Sequence, residues 1–108
     1  MTEYYKPSHF NNLRKKLSEA AKIALRKTSS EGQIERLMTI VRAKDNAIKQ
    51  SARLYKQIIN QKSTKHNKDL ALEVINKSVE DILKATTADG VNQIVVLRNM
   101  KIKIFMEM

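Results

Sequence analysis

Only three residues in this chain of 108 are strong helix breakers: Pro7, Gly32 and Gly90. A many-stranded sheet needs frequent tight turns, and so few breakers cannot supply them; long helices are the expectation. The hydrophobic fraction is 42% and the charged fraction 30%, which allows one thin core at this length. The chain is therefore expected to form a single domain over 1–108. Elongated helices or self-association would help to bury surface that a chain this short leaves exposed.

The apolar spacing divides the chain. Residues 1–7 show no period and end in Pro, so they read as an extended arm. Ser8 is placed to cap a helix over 8–28, in which Phe10, Leu13, Leu17, Ala21 and Ala24 share one stripe. Ser30 and Gln33 then have capping-box spacing, with Glu31 at the positive end of the next helix dipole. That helix, over 30–62, carries the most regular pattern in the chain. Ile34, Val41, Ile48 and Tyr55 recur every seven residues, and Met38, Asp45, Ala52 and Ile59 stand four after each. This predicts one long central helix (about 31–62), roughly 45 Å at ~1.5 Å per residue, with helical-hairpin or coiled-coil-like packing. Asp45 is the misfit in its seam. After a polar connection, Asn67 is the expected cap of a third helix over 67–86, whose buried face is Leu72, Ile75, Val79, Ile82 and Leu83.

Thr87 to Gly90 reads as the end of that helix, and the period then changes. Met100, Ile102, Ile104, Met106 and Met108 alternate with Lys101, Lys103, Phe105 and Glu107. Period two predicts a short C-terminal β-hairpin or strand over 91–108, turning at Arg98-Asn99. A fourth helix from Asp89 is the competing reading; the alternation favours the strand. The expected fold is thus mainly α, with three helices and a terminal hairpin. A lone hairpin is marginal in water, so Met100, Ile102, Ile104 and Met106 are candidate assembly residues for a homo-oligomer, a dimer in the simplest case.

Catalytic signals are scarce. The chain has no Cys, and its two histidines, His9 and His66, have no second ligand three or four residues away. Its isolated glycines form no phosphate-cradling loop. The reading is a non-enzymatic protein with no cofactor and no metal. No apolar run resembles a signal peptide or approaches a membrane span, so no membrane role and a cytoplasmic location are expected.

Charge is the informative property. The net charge is +10, and its distribution is uneven. Residues 1–66 hold fifteen Lys and Arg against five acids, while 67–108 hold six of each sign. On a wheel of ~100° per residue, Arg42, Lys49, Arg53 and Lys56 fall on one line beside the seam, with Asn60 among them. From Arg42 to Asn60 that line runs about 27 Å. Lys15, Lys22 and Arg26 lie opposite the apolar stripe of the first helix. Such a track suits a phosphate backbone, because each Lys or Arg that neutralises a phosphate releases a counterion. Tyr4, Tyr5 and Lys6 would add an arm able to stack on bases. The plainer account is that helices place Lys and Arg outside in any case. The concentration of the whole surplus in one segment favours a non-enzymatic nucleic-acid-binding accessory or regulatory protein, binding DNA or RNA through backbone contacts. The alternative is a small protein–protein inhibitor or adaptor, of the kind phages and mobile elements encode. It would dock on an acidic surface or in the nucleic-acid channel of a host protein.

Overall fold

The computed structural model describes residues 7–28, 30–62 and 64–107. They form four helices and no strand: α1 Pro7–Arg26, α2 Glu31–Asn60, α3 Lys65–Lys84 and α4 Ala88–Glu107. Residues 1–6 of the expected arm, with its tyrosines, lie outside the described residues, and Pro7, its last residue, belongs to α1 instead.

The fourth helix corrects the expected hairpin. Thr87 does not close α3; it opens α4, its hydroxyl accepting from the Gly90 amide at 3.0 Å. Thr64 does the same for α3, accepting from the Asn67 amide at 3.2 Å. Asn67 is therefore inside α3 rather than its cap, and Gly90 starts a helix rather than ending one. Ser8 also lies inside its helix, where Pro7 takes the first position, a favoured place for a residue without an amide hydrogen. Ser30 does stand at the N-cap of α2, but its side chain makes no capping hydrogen bond there.

Why does an alternating segment become a helix? Residues 100, 102, 104 and 106 fall alternately on two nearly opposite faces of α4, because two residues advance a helix by about 200°. Both faces are apolar, so a period of two and a period of 3.6 are satisfied together. The structure buries Ile102, packs Met106 against the core, and leaves Met100 and Ile104 more than half exposed. Arg98 and Asn99, the expected turn, are in mid-helix.

α2 organises the molecule. α3 runs antiparallel to it, tied at both ends by lysines: Lys44 Nζ donates to the Leu83 carbonyl at 2.8 Å and Lys68 Nζ to the Ile59 carbonyl at 3.2 Å. Each lysine thus supplies a cation and a donor at the C-terminal end of its neighbour, where carbonyls lack helical partners. Burial lowers the pKa of Lys44. α4 returns alongside α2, so α2, α3 and α4 make a three-helix bundle. α1 packs on α2 alone among the described residues. The molecule measures 52 × 24 × 20 Å, with a radius of gyration of 15.3 Å, against about 13 Å for a compact chain of this length.

The heptad seam is only one of two packing faces on α2. It turns towards α1: Tyr55 meets Phe10 edge-on with ring centroids 5.8 Å apart, and Asp45 is held by Arg14 at 2.8 and 3.2 Å. The misfit acid of the seam is thereby neutralised by a fork of two hydrogen bonds. The second face, Ala47, Ser51 and Ile58, is buried in the bundle with α3 and α4. At the seam's ends Met38 and Ile59 are exposed, so a single coiled-coil-like seam does not describe the packing. The core itself is drawn mostly from α2 and α3, with Ile48, Ile75, Val79 and Ile82 fully buried.

Candidate nucleic-acid interface

All seven cations singled out in the sequence (Lys15, Lys22, Arg26, Arg42, Lys49, Arg53 and Lys56) are solvent-exposed. On α2 the α1-facing seam lies on one side of the cationic line and the α4 groove on the other. The line of Arg42, Lys49, Arg53 and Lys56 emerges between them, for the simple reason that neither neighbour covers that strip of the helix. Its only acid between residues 42 and 60 is Asp45, which Arg14 already engages. Glu31 and Glu35 occupy the same line nearer the helix start, at about 220° and 260° on the wheel, and so bound the track on that side.

The fold extends this line at two places. At the α1/α2 cleft, Lys15 and Arg14 line the same hollow as Arg42, with Ser18, Val41, Asp45 and Asn46. The pKa of Arg14 is raised, chiefly by its hydrogen bond to Asp45, with burial opposing and the charge of Asp45 adding. Lys22 and Arg26 lie about two and three turns further along α1. At the opposite side, Arg53 stands on the rim of a groove between α2 and α4 together with Lys103. The groove is about 600 Å³ in volume. Its floor includes Arg98.

Arg98 is the residue that sequence reasoning misplaced most. It is 2% exposed, and its partners are uncharged. Nη1 donates to the Ser51 hydroxyl and Nε to Asn99 Oδ1 at 3.3 Å. Nη2 has no partner. Desolvation pushes its pKa down to about 10. The Ser51 hydroxyl in turn donates to the Ala47 carbonyl at 2.8 Å. A usable signal existed: Val91, Arg98 and Ile102 share one face at spacings of seven and four, so a helical reading puts the arginine inward.

The four candidate assembly residues are split by the fold. Met100 and Ile104 share an exposed stripe of α4 with Val96 and Leu97, while Ile102 and Met106 face the protein's own interior. His9 is exposed in α1 and His66 in the first turn of α3. Among the described residues no three His, Cys, Asp or Glu cluster as metal ligands, and no helix is long and apolar enough to cross a membrane. Comparison with protein-family models, with curated proteins and with solved structures finds no match for this chain.

Proposed function

We propose that this protein binds nucleic acid, as a non-enzymatic accessory or regulatory factor, through phosphate contacts from the exposed cations of α2 and the adjoining end of α1. One observation carries the reading: Arg42, Lys49, Arg53 and Lys56 present an open line of charge whose only interleaved acid, Asp45, is consumed by Arg14. The contacts are to backbone rather than to base edges, so affinity is expected to exceed sequence preference. Such a role would place the protein inside the cell.

Mobility shift of labelled DNA and RNA at rising salt tests this. Binding that weakens steeply with salt, and disappears when Arg42, Lys49, Arg53 and Lys56 are all changed to Gln with helicity intact, is the expected result. Salt-independent binding, or none to either polymer at low salt, overturns it.

A second reading rests on a different observation. Val96, Leu97, Met100 and Ile104 are each more than half exposed along α4, and a contiguous apolar patch of this kind often marks a protein contact. It supports a protein–protein module, either an inhibitor or adaptor docking on a host protein or a second copy of this chain. Sedimentation of the pure protein at ~100 µM separates the last two: a strict monomer removes self-association and leaves the foreign partner.

A further inference from the structure

The α2/α4 groove holds an unbalanced charge. Its polar lining is Gln50 and Gln57 of α2, Gln61 just beyond it and Asn99 of α4, with Arg53 and Lys103 at the rim and Arg98 at the floor. No carboxylate is among these residues. A guanidinium taken out of water is expensive unless an opposite charge compensates it, and the partners of Arg98 are a hydroxyl and an amide. Its pKa falls with desolvation as the sole cause, so among the described residues no carboxylate offsets the burial. The other groove Arg98 borders, between α3 and α4, does contain Glu73 and Asp81, but with Lys77 and Lys101 beside them. The α2/α4 groove, with Arg53, Arg98 and Lys103 and no acid, therefore carries the larger positive charge of the two.

We infer that the α2/α4 groove is a binding site for a phosphate ester of nucleotide size, its phosphate seated among Arg53, Lys103 and the amide side chains above the buried charge of Arg98. Three positive charges suit a phosphate dianion better than a single carboxylate, and Arg offers the forked donors that phosphate oxygens accept. The remaining lining, Leu54, Ile58, Ile102 and Met106, is apolar and supplies a surface for a sugar or base. The volume of about 600 Å³ lies within the range usual for small-molecule sites. The site shares only Arg53 with the proposed polyanion track, so the two readings can fail separately.

Thermal unfolding of the full chain tests the site, with inorganic phosphate, a mononucleotide and its nucleoside as probes, and chloride added to hold ionic strength constant. Saturating mononucleotide is expected to raise Tm by on the order of 10 °C at roughly a hundred times its Kd. Inorganic phosphate should act more weakly, and the nucleoside should not act. Arg98→Met should abolish the shift. Lys103→Gln, an exposed change that leaves the core untouched, should weaken binding about tenfold, as expected for the loss of one charge-assisted contact, and keeps the test decisive if Arg98→Met does not fold. A variant with Arg42, Lys49 and Lys56 changed to Gln should lose polyanion binding and keep the full nucleotide shift. No shift beyond that in chloride, an equal shift with the nucleoside, or an unchanged shift in both Arg98→Met and Lys103→Gln overturns the inference.

Discussion

The two ends of this molecule divide labour differently. On one side α1, among the described residues, packs on α2 alone and contributes a single fully buried residue, Phe10. It carries five cations against one acid. On the other side α3 buries Ala71, Leu72, Ile75, Val79 and Ile82, and its four lysines are balanced by four acids. Two of the bundle's cations, Lys44 and Lys68, are spent on helix ends. The difference teaches that stability and charge are held by different helices, with α2 common to both. A substitution on the exposed line of α2 should change binding without changing folding, and one inside the bundle should do the reverse.

The sharpest way to break that division is to neutralise the line itself. Changing Arg42, Lys49, Arg53 and Lys56 together to Gln should lower affinity for a polyanion roughly a thousandfold at low salt, at about 1 kcal/mol per lost phosphate contact. Circular dichroism and urea unfolding should be nearly unchanged. Neutralising Lys77 and Lys84 of α3 should have little effect on either, and a comparable loss there would erase the distinction. In the opposite sense, Ile75→Ala should cost about 2–5 kcal/mol of unfolding free energy, because Ile75 is wholly buried. Measured below its unfolding transition, that variant should still bind polyanions.

Arg98 links the two sides, and replacing it should stabilise the fold. Arg98→Met removes an uncompensated buried charge while keeping much of the volume, with a gain of about 1–3 kcal/mol at neutral pH. The sign with pH follows from its lowered pKa. Burial brings the folded value down to about 10, below that of the unfolded chain. Between those values the unfolded state binds more protons, so wild-type stability rises with pH there. The advantage of Arg98→Met should therefore be full below pH 10 and shrink above it, as urea unfolding of both proteins at matched pH can show.

Much of this division was legible from residues alone. The length of α2 follows from an uninterrupted apolar period between Gly32 and the polar connection. The exposure of its cations follows from the default placement of Lys and Arg. The second packing face of α2 left little trace, because Ala47 and Ser51 are small and carry almost no hydrophobic signal. α4 was hidden by its own composition: with both faces apolar, alternation at residues 100–106 fitted a strand as well as a helix. The deciding signs were short-range. Thr87 and Gly90 repeat the spacing of Thr64 and Asn67, and that spacing marks a helix start. Arg98 was hidden for a related reason, since a charged residue beside an Asn suggests a turn until the face it occupies is known. No sequence pattern pairs Arg14 with Asp45, which stand 31 residues apart.

That pair offers the smallest and subtlest test. Asp45→Asn should lose about 0.5–1 kcal/mol, the usual worth of an ion pair whose side chains are about one-third exposed. It also releases Arg14 to the cationic band, so polyanion binding should strengthen a few-fold by about the same energy. A variant that loses both stability and binding would mean that the pair positions α1 for binding rather than silencing an acid.

The central claim is that the exposed line of α2 contacts phosphates, and the most direct measurement is the salt dependence of binding to a labelled oligonucleotide. For duplex DNA, a plot of log K against log salt should have a slope of about −3 to −4, near −0.9 for each of four contacts. The slope should flatten by about one unit with each of Arg42, Lys49, Arg53 and Lys56 removed in turn. A slope near zero, or one that the four substitutions leave unchanged, would contradict the account.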